Sequence, residues 1–217
     1  MNKYTKEEME ALIAKYAGDN LVLPDRFEHR YDQVSSRILY SLLREAKPQN
    51  CLEFGTSYGG SALVTLKALI RNELPYRYVG FEIDDGLNRE TLRNITHWLA
   101  EGVAHQIHFE LWGDIKKNLH KVPDKLDFAF VDPDWDEDIA IWTFENIIPR
   151  VKKGALIHIH DWSVTEDLKY EGGSFPGIKY LIKLFEEDKM PLKKIFAVWD
   201  HEEYRKMSIA SSFWEKI

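Results

Sequence analysis

Five times along this chain a short apolar run ends at acidic or histidine side chains and gives way to a segment of helical period. "NCLEF" ends beside Glu53, "RYVGFEI" carries Glu82 with Asp84 two residues on, and "QIHFELW" runs on to Asp114. "LDFAFVD" ends at Asp132 with Asp134 following, and "ALIHIHD" ends at His160 and Asp161. Short apolar runs bounded by helical patterns read as buried strands, and parallel neighbours need a crossover between them. The alternation therefore predicts an α/β fold: a doubly wound, mostly parallel sheet covered by helices on both faces. Near the C-terminus "KKIFAVWD" and "KMSIASSFW" are joined by the polar "HEEYR" with no helical segment. Two strands so joined predict an antiparallel hairpin, which completes a seven-stranded sheet.

Two helices precede the first strand. One runs from Lys6 to Tyr16 with Met9, Leu12, Ile13 and Tyr16 at helical spacing, and "YDQVSSRILYSLLREAKP" repeats the pattern with Val34, Ile38, Leu42 and Leu43. Residues 1–48 are accordingly expected to cap a core of residues 49–217, all within a single domain of residues 1–217. Further helices are expected from Ser61, from Leu87, over Lys116 to Leu119, over "EDIAIWTFENIIPRV" and over "IKYLIKLFEED". No apolar run approaches the roughly 20 residues of a membrane span, and the N-terminus lacks the apolar centre of a signal peptide. The only cysteine, Cys51, lies inside the first strand, reads as core packing and fits a reducing compartment. The expected location is cytoplasmic, with no membrane partner. A net charge of −7 argues against nucleic acid as a partner and leaves small molecules or proteins. Self-association into a homo-oligomer stays open.

In doubly wound sheets ligands bind outside the carboxyl ends of the strands. The spacing Glu53-x-Gly55-x-x-x-Gly59 departs from the dinucleotide fingerprint, in which glycines let the backbone approach a diphosphate. A carboxylate there repels a diphosphate and attracts a cation. With these residues in place, "LEFGTSYGGSA" resembles the first motif of the S-adenosylmethionine-dependent methyltransferases with the Rossmann-like fold, and the C-terminal hairpin resembles that family's seventh, antiparallel strand. The resemblance runs from about Asn50 to the end of the chain. It implies that Gly55, Thr56, Ser57, Gly59 and Gly60 cradle the methionine part of S-adenosylmethionine, with Glu53 near its ammonium and Ser61 at its carboxylate. It implies that Glu82 binds the ribose hydroxyls and that Asp114 recognises the adenine amino group. For Asp114 a helix N-cap is the competing role, and for Asp84 a cap or loop role is expected.

"FAFVDPDWDED" and "LIHIHDW" resemble the fourth and fifth strand ends of small-molecule O-methyltransferases, both the catechol type and the sugar enzymes of antibiotic pathways. The likeness implies that Asp132, His160 and Asp161 hold a divalent metal, magnesium or manganese, with Asp134 as a fourth ligand or as the base. Such an ion stabilises the alkoxide of an acceptor hydroxyl. The family more often has two acidic or amide groups where His160 and Asp161 stand, so metal-free chemistry with His160 or Asp134 as general base is the alternative. Trp135 and Trp162 read either as walls of a substrate slot or as core, and His158 as core. The loop Ser163–Gly177 reads as a lid or a plain connector, and Arg26, His29, Arg30 and Tyr31 as acceptor contacts or an exposed charged face. The implied activity is methyl transfer to a hydroxyl oxygen of a small-molecule acceptor. An NAD-dependent oxidoreductase is a rival that Glu53 disfavours, and a non-catalytic scaffold of the same fold is another.

Overall fold

A computed structural model describes residues 3–19, 21, 32–99, 108–162, 175–202 and 211–217. Its strands are β1 (Asn50–Phe54), β2 (Arg77–Phe81), β3 (Phe109–Trp112), β4 (Leu126–Val131), β5 (Val151–His160), β6 (Leu192–Ala197) and β7 (Ser211–Lys216). They form one sheet in the order β3-β2-β1-β4-β5-β7-β6. The pairs from β3 to β5 are parallel, and β7 runs antiparallel to both β5 and β6. The chain builds outward from β1 to β3, then returns to lay β4 against the other edge of β1. This reversal opens a crevice at the carboxyl ends of β1 and β4.

The helices are α1 (Lys6–Lys15), α2 (Gln33–Ala46), α3 (Gly60–Arg71), α4 (Asp85–Leu99), α5 (Glu137–Asn146) and α6 (Pro176–Glu186). Their ends follow local chemistry. The Thr5 hydroxyl accepts from the Glu8 N–H while the Glu8 carboxylate accepts from the Thr5 N–H, a reciprocal cap of about 1 kcal/mol. Asp32 caps α2 through the Ser35 N–H at 2.7 Å, and α2 stops at Lys47, in the left-handed conformation just before Pro48. One core packs Ile38, Leu39 and Leu66 against Phe128, Phe130 and Phe213. The other packs Ile178 and Leu181 against Leu52, Ile157 and Trp214. Strand alternation divides the two, so Cys51 and Glu53 face the first while Leu52 between them faces the second. Cys51 is fully buried, as its place in β1 predicts.

Three expected elements differ. Lys116 to Leu119 is not a helix: the Asp114 carboxylate accepts from the Lys116 N–H, residues 115–117 form a turn, and a 3-10 turn spans Leu119–Lys121. A segment so short before Pro123 cannot offset helix nucleation. The helix expected to reach Val151 ends at Asn146, and Pro149 sits in a separate 3-10 turn, where its missing N–H costs nothing. Strand β5 starts at Val151, four residues before the expected run, with a register shift opposite Leu126 and Phe128 and Gly154 at φ 81°. The hairpin partners β6 and β7 pair as expected, while residues 203–210 of their connection lie outside the described residues. So do Arg26, His29, Arg30 and Tyr31 and most of the Ser163–Gly177 loop.

Candidate functional site

After β1 the chain turns sharply. Gly55 takes φ 90°, Ser57 46° and Gly59 87°. Gly55 and Thr56 donate to the Phe81 carbonyl at 2.9 and 3.2 Å, and the Gly59 N–H closes the turn on the Thr56 carbonyl. Glycine is required at 55, since a β-carbon there would stand 2.0 Å from the Asp132 carbonyl oxygen. Gly59 is the N-cap of α3 and makes no side-chain cap, so the chain itself leaves the first-turn N–H groups without that partner.

Glu53 is fully buried beneath this turn. It accepts from the Ser61 hydroxyl at 2.7 Å and from the Tyr78 hydroxyl at 2.6 Å. Burial pushes its pKa up to about 8 against those two hydrogen bonds, with Asp132 and Glu82 adding to the rise. The Ser61 hydroxyl is therefore directed inward onto Glu53. Glu82 ends β2 and is used on both oxygens: Oε2 accepts from the Ser57 N–H at 2.8 Å and Oε1 from the Asp84 N–H at 3.1 Å. Asp84 caps α4, accepting from the N–H groups of Gly86 and Leu87.

A cavity of about 350 Å³ lies over the carboxyl ends of β1, β2 and β4. Glu82, Asp114 and Asp134 bring carboxylates to it, and Phe54, Phe81 and Ile83 supply apolar wall. Asp114 lines the cavity and accepts from the Lys116 N–H at 2.8 Å, and since only a turn follows it, it is not the helix N-cap expected as its competing role. Several contributors escaped the sequence reading. Ile83 is 73% exposed, an unusual placement for a large aliphatic residue just after a strand. Asn88, Thr91 and Asn94 of α4 were also missed. The Thr91 hydroxyl donates to the Ser57 carbonyl, Asn94 to the Tyr58 carbonyl at 3.0 Å, and Asn88 to the carbonyls of Glu82 and Trp112. Their signal in the sequence is a polar residue every third position of a helix.

At the ends of β4 and β5 the structure gathers Asp132, His160 and Asp161. One candidate ligand atom from each lies within 4.8 Å of the others. His160 Nδ1 is 3.3 Å from both Asp132 Oδ1 and Asp161 Oδ1. Consecutive strand residues point to opposite faces, so this convergence depends on Asp161 leaving the strand at φ 57°. Burial, the largest single influence, opposes a charge on His160, yet the two carboxylates outweigh it and raise its pKa well above the ordinary value. The two carboxylates thus favour positive charge at this point. Asp134 stands outside this trio and lines the cavity instead.

His158 is fully buried, stacked on Phe213 at 4.3 Å, with its pKa lowered well below the usual by burial and then by His160. Trp135 and Trp162 resolve as core: Trp162 meets Trp214 edge-on at 4.6 Å, and only 3% of Trp135 is exposed.

The sequence model described as a methyltransferase domain matches residues 52–162, just over half of the 217-residue chain. No curated protein matches the sequence. Among solved structures, the chain is similar to the O-methyltransferase from Bacillus cereus in complex with SAH, at 15% identity and a TM-score of 0.64 over 99% of this chain and 92% of that one. It is similar to the O-methyltransferase TomG from Streptomyces achromogenes, involved in tomaymycin synthesis and solved with SAM, at 17% identity and 0.63 over 98% and 91%. A third is the SAH-bound methyltransferase PaMTH1 from Podospora anserina, at 15% and 0.62 over 99% and 97%. At these identities the likeness is one of fold.

Proposed function

The chain belongs to the methyltransferase-domain family, and from that premise we propose that it transfers a methyl group from S-adenosylmethionine to a hydroxyl oxygen of a small molecule. The observation that carries this reading is the adjacency of two features across the β1–β4 crevice. One is the cavity lined by Glu82 and Asp114, and the other is the Asp132–His160–Asp161 group. Gly55, which lines that cavity, is in backbone contact with Asp132 of that group, so donor and acceptor would meet at the crevice.

Glu82 would accept the ribose hydroxyls with the lone pairs left free by Ser57 and Asp84, and Asp114 would accept from the adenine amino group. Gly55, Thr56, Ser57, Gly59 and Gly60 would wrap the methionine part. Its carboxylate would fall at the start of α3, and its ammonium would draw Glu53 toward its ionised form. The reactive methyl is the donor's own, so the protein positions the acceptor, desolvates it and helps remove its proton.

Asp132, His160 and Asp161 fit a divalent metal such as magnesium or manganese, two carboxylates and an imidazole being within reach of one point. Bound there, such an ion would stabilise the acceptor as its alkoxide. The net charge of −7 supports a small acceptor over a nucleic acid.

The test is transfer of a labelled methyl group from S-adenosylmethionine to a panel of hydroxyl-bearing and amine-bearing small molecules, with and without added magnesium or manganese. Calorimetry with S-adenosylmethionine and with NAD accompanies it. Labelling of amines alone, or tighter binding of NAD, rejects the reading.

A further inference from the structure

Ser57 is not glycine, yet its backbone is left-handed at φ 46°, a conformation that L residues avoid unless their surroundings impose it. It is gripped from two sides. Its N–H donates to Glu82, and its carbonyl accepts from the Thr91 hydroxyl. One residue further on, the Tyr58 carbonyl accepts from Asn94, while Asn88 donates to the carbonyls at the ends of β2 and β3, those of Glu82 and Trp112.

Thr91 is fully buried and Asn94 is 2% exposed, where packing alone would favour apolar side chains. The amide oxygens of Asn88 and Asn94 are buried without a hydrogen-bond partner among the described residues. An unpaired buried acceptor is unfavourable, so these side chains are not an economical way to fill space. What they provide is donors, and these go to carbonyls of the turn after β1 and of the ends of β2 and β3, among them that of Glu82, which lines the cavity.

We propose that Asn88, Thr91 and Asn94 are positioning residues that set the affinity for S-adenosylmethionine, holding the Ser57–Tyr58 turn and the Glu82 backbone in their binding geometry before the donor arrives. A turn held in advance need not be ordered when the ligand binds, and that saving appears as affinity. The inference rests on the reading of Gly55–Ser61 as the donor's cradle.

Thr91→Val keeps the side-chain shape and removes the hydroxyl, and Asn94→Leu removes the amide. Each should raise the Kd and KM for S-adenosylmethionine about tenfold, the scale of one lost hydrogen bond, with kcat at saturating donor within about twofold of wild type. Thr91→Ser, which restores a hydroxyl, should bind as wild type does. Lowered thermal stability with unchanged Kd in both Thr91→Val and Asn94→Leu would make the stripe purely structural and overturn the inference.

Should those variants fail to fold, amide hydrogen exchange on the unliganded wild-type protein decides. Protected amides at Ser57 and Gly59 are expected, and free exchange there overturns the inference. Titration of the wild-type protein with S-adenosylmethionine separates the two levels: no binding defeats the cradle reading itself, while binding beside a normal Thr91→Val and Asn94→Leu defeats only the role of α4.

Discussion

Gly55 packs so closely against Asp132 that a β-carbon on it would stand 2.0 Å from the Asp132 carbonyl oxygen. The contact ties the turn after β1 to the end of β4, so the cradle and the Asp132–His160–Asp161 group are built on one junction. Gly55→Ala meets both a backbone clash and an unfavourable φ of 90°. It should destabilise the protein by at least about 2–4 kcal/mol, read as a lower denaturant midpoint in unfolding experiments. A midpoint equal to that of wild type would show that the junction yields.

The trio at the ends of β4 and β5 is probed by metal removal. A chelator should abolish methyl transfer while leaving S-adenosylmethionine binding nearly intact, and Asp161→Ala should reproduce the loss. If the groups work instead through protons, the chelator has no effect and His160→Ala lowers the rate by roughly 10²–10⁴. Full activity of the chelated enzyme and of both variants would remove the trio from the mechanism.

Glu82→Ala should weaken S-adenosylmethionine binding by roughly 1.5–3 kcal/mol, the range for hydrogen bonds to a charged group. Glu82 also holds the N–H groups of Ser57 and Asp84, so a modest fall in melting temperature should accompany the loss. Calorimetry on the folded variant reads the first effect and thermal unfolding the second. Unchanged affinity would take the ribose away from Glu82.

Glu53 makes the ligand-free protein sensitive to pH. Its pKa is raised from 4.5 to about 8, so between those values the folded state holds a proton that the unfolded state has released. Stability should therefore fall as pH rises through this window, with a slope approaching roughly 1.4 kcal/mol per pH unit from this one group. Glu53→Gln carries no charge and should flatten the profile, gaining most over wild type near pH 8. Denaturant unfolding at a series of pH values checks it, and parallel profiles would mean that Glu53 ionises normally.

Much of the architecture was legible because burial leaves a periodic trace. Apolar runs alternating with helical segments give a parallel sheet, and two runs without a helix between them give the β6–β7 pair. Punctuation was legible too: Pro48 follows α2, and Asp84 caps α4 as expected. The carboxylates that end the strands mark where a ligand would sit, since the carboxyl edge of such a sheet is where loops converge.

Periodicity records which face a side chain takes, but not which distant residue it will meet there. The burial of Glu53 under a turn, with Tyr78 from the next strand closing on it, depends on the register of β1 against β2. The grip of α4 on the Ser57 and Tyr58 carbonyls depends on how that helix packs over the sheet. Strand alternation would send His160 and Asp161 to opposite faces, and only the left-handed backbone at Asp161 brings both to Asp132. The sequence by itself determined the α/β class, the order of elements and the chemistry available at each strand end, because these follow from local pattern. Tertiary structure alone decided which of those groups converge, because distances between side chains far apart in sequence are set by packing and by single backbone angles that no local pattern encodes.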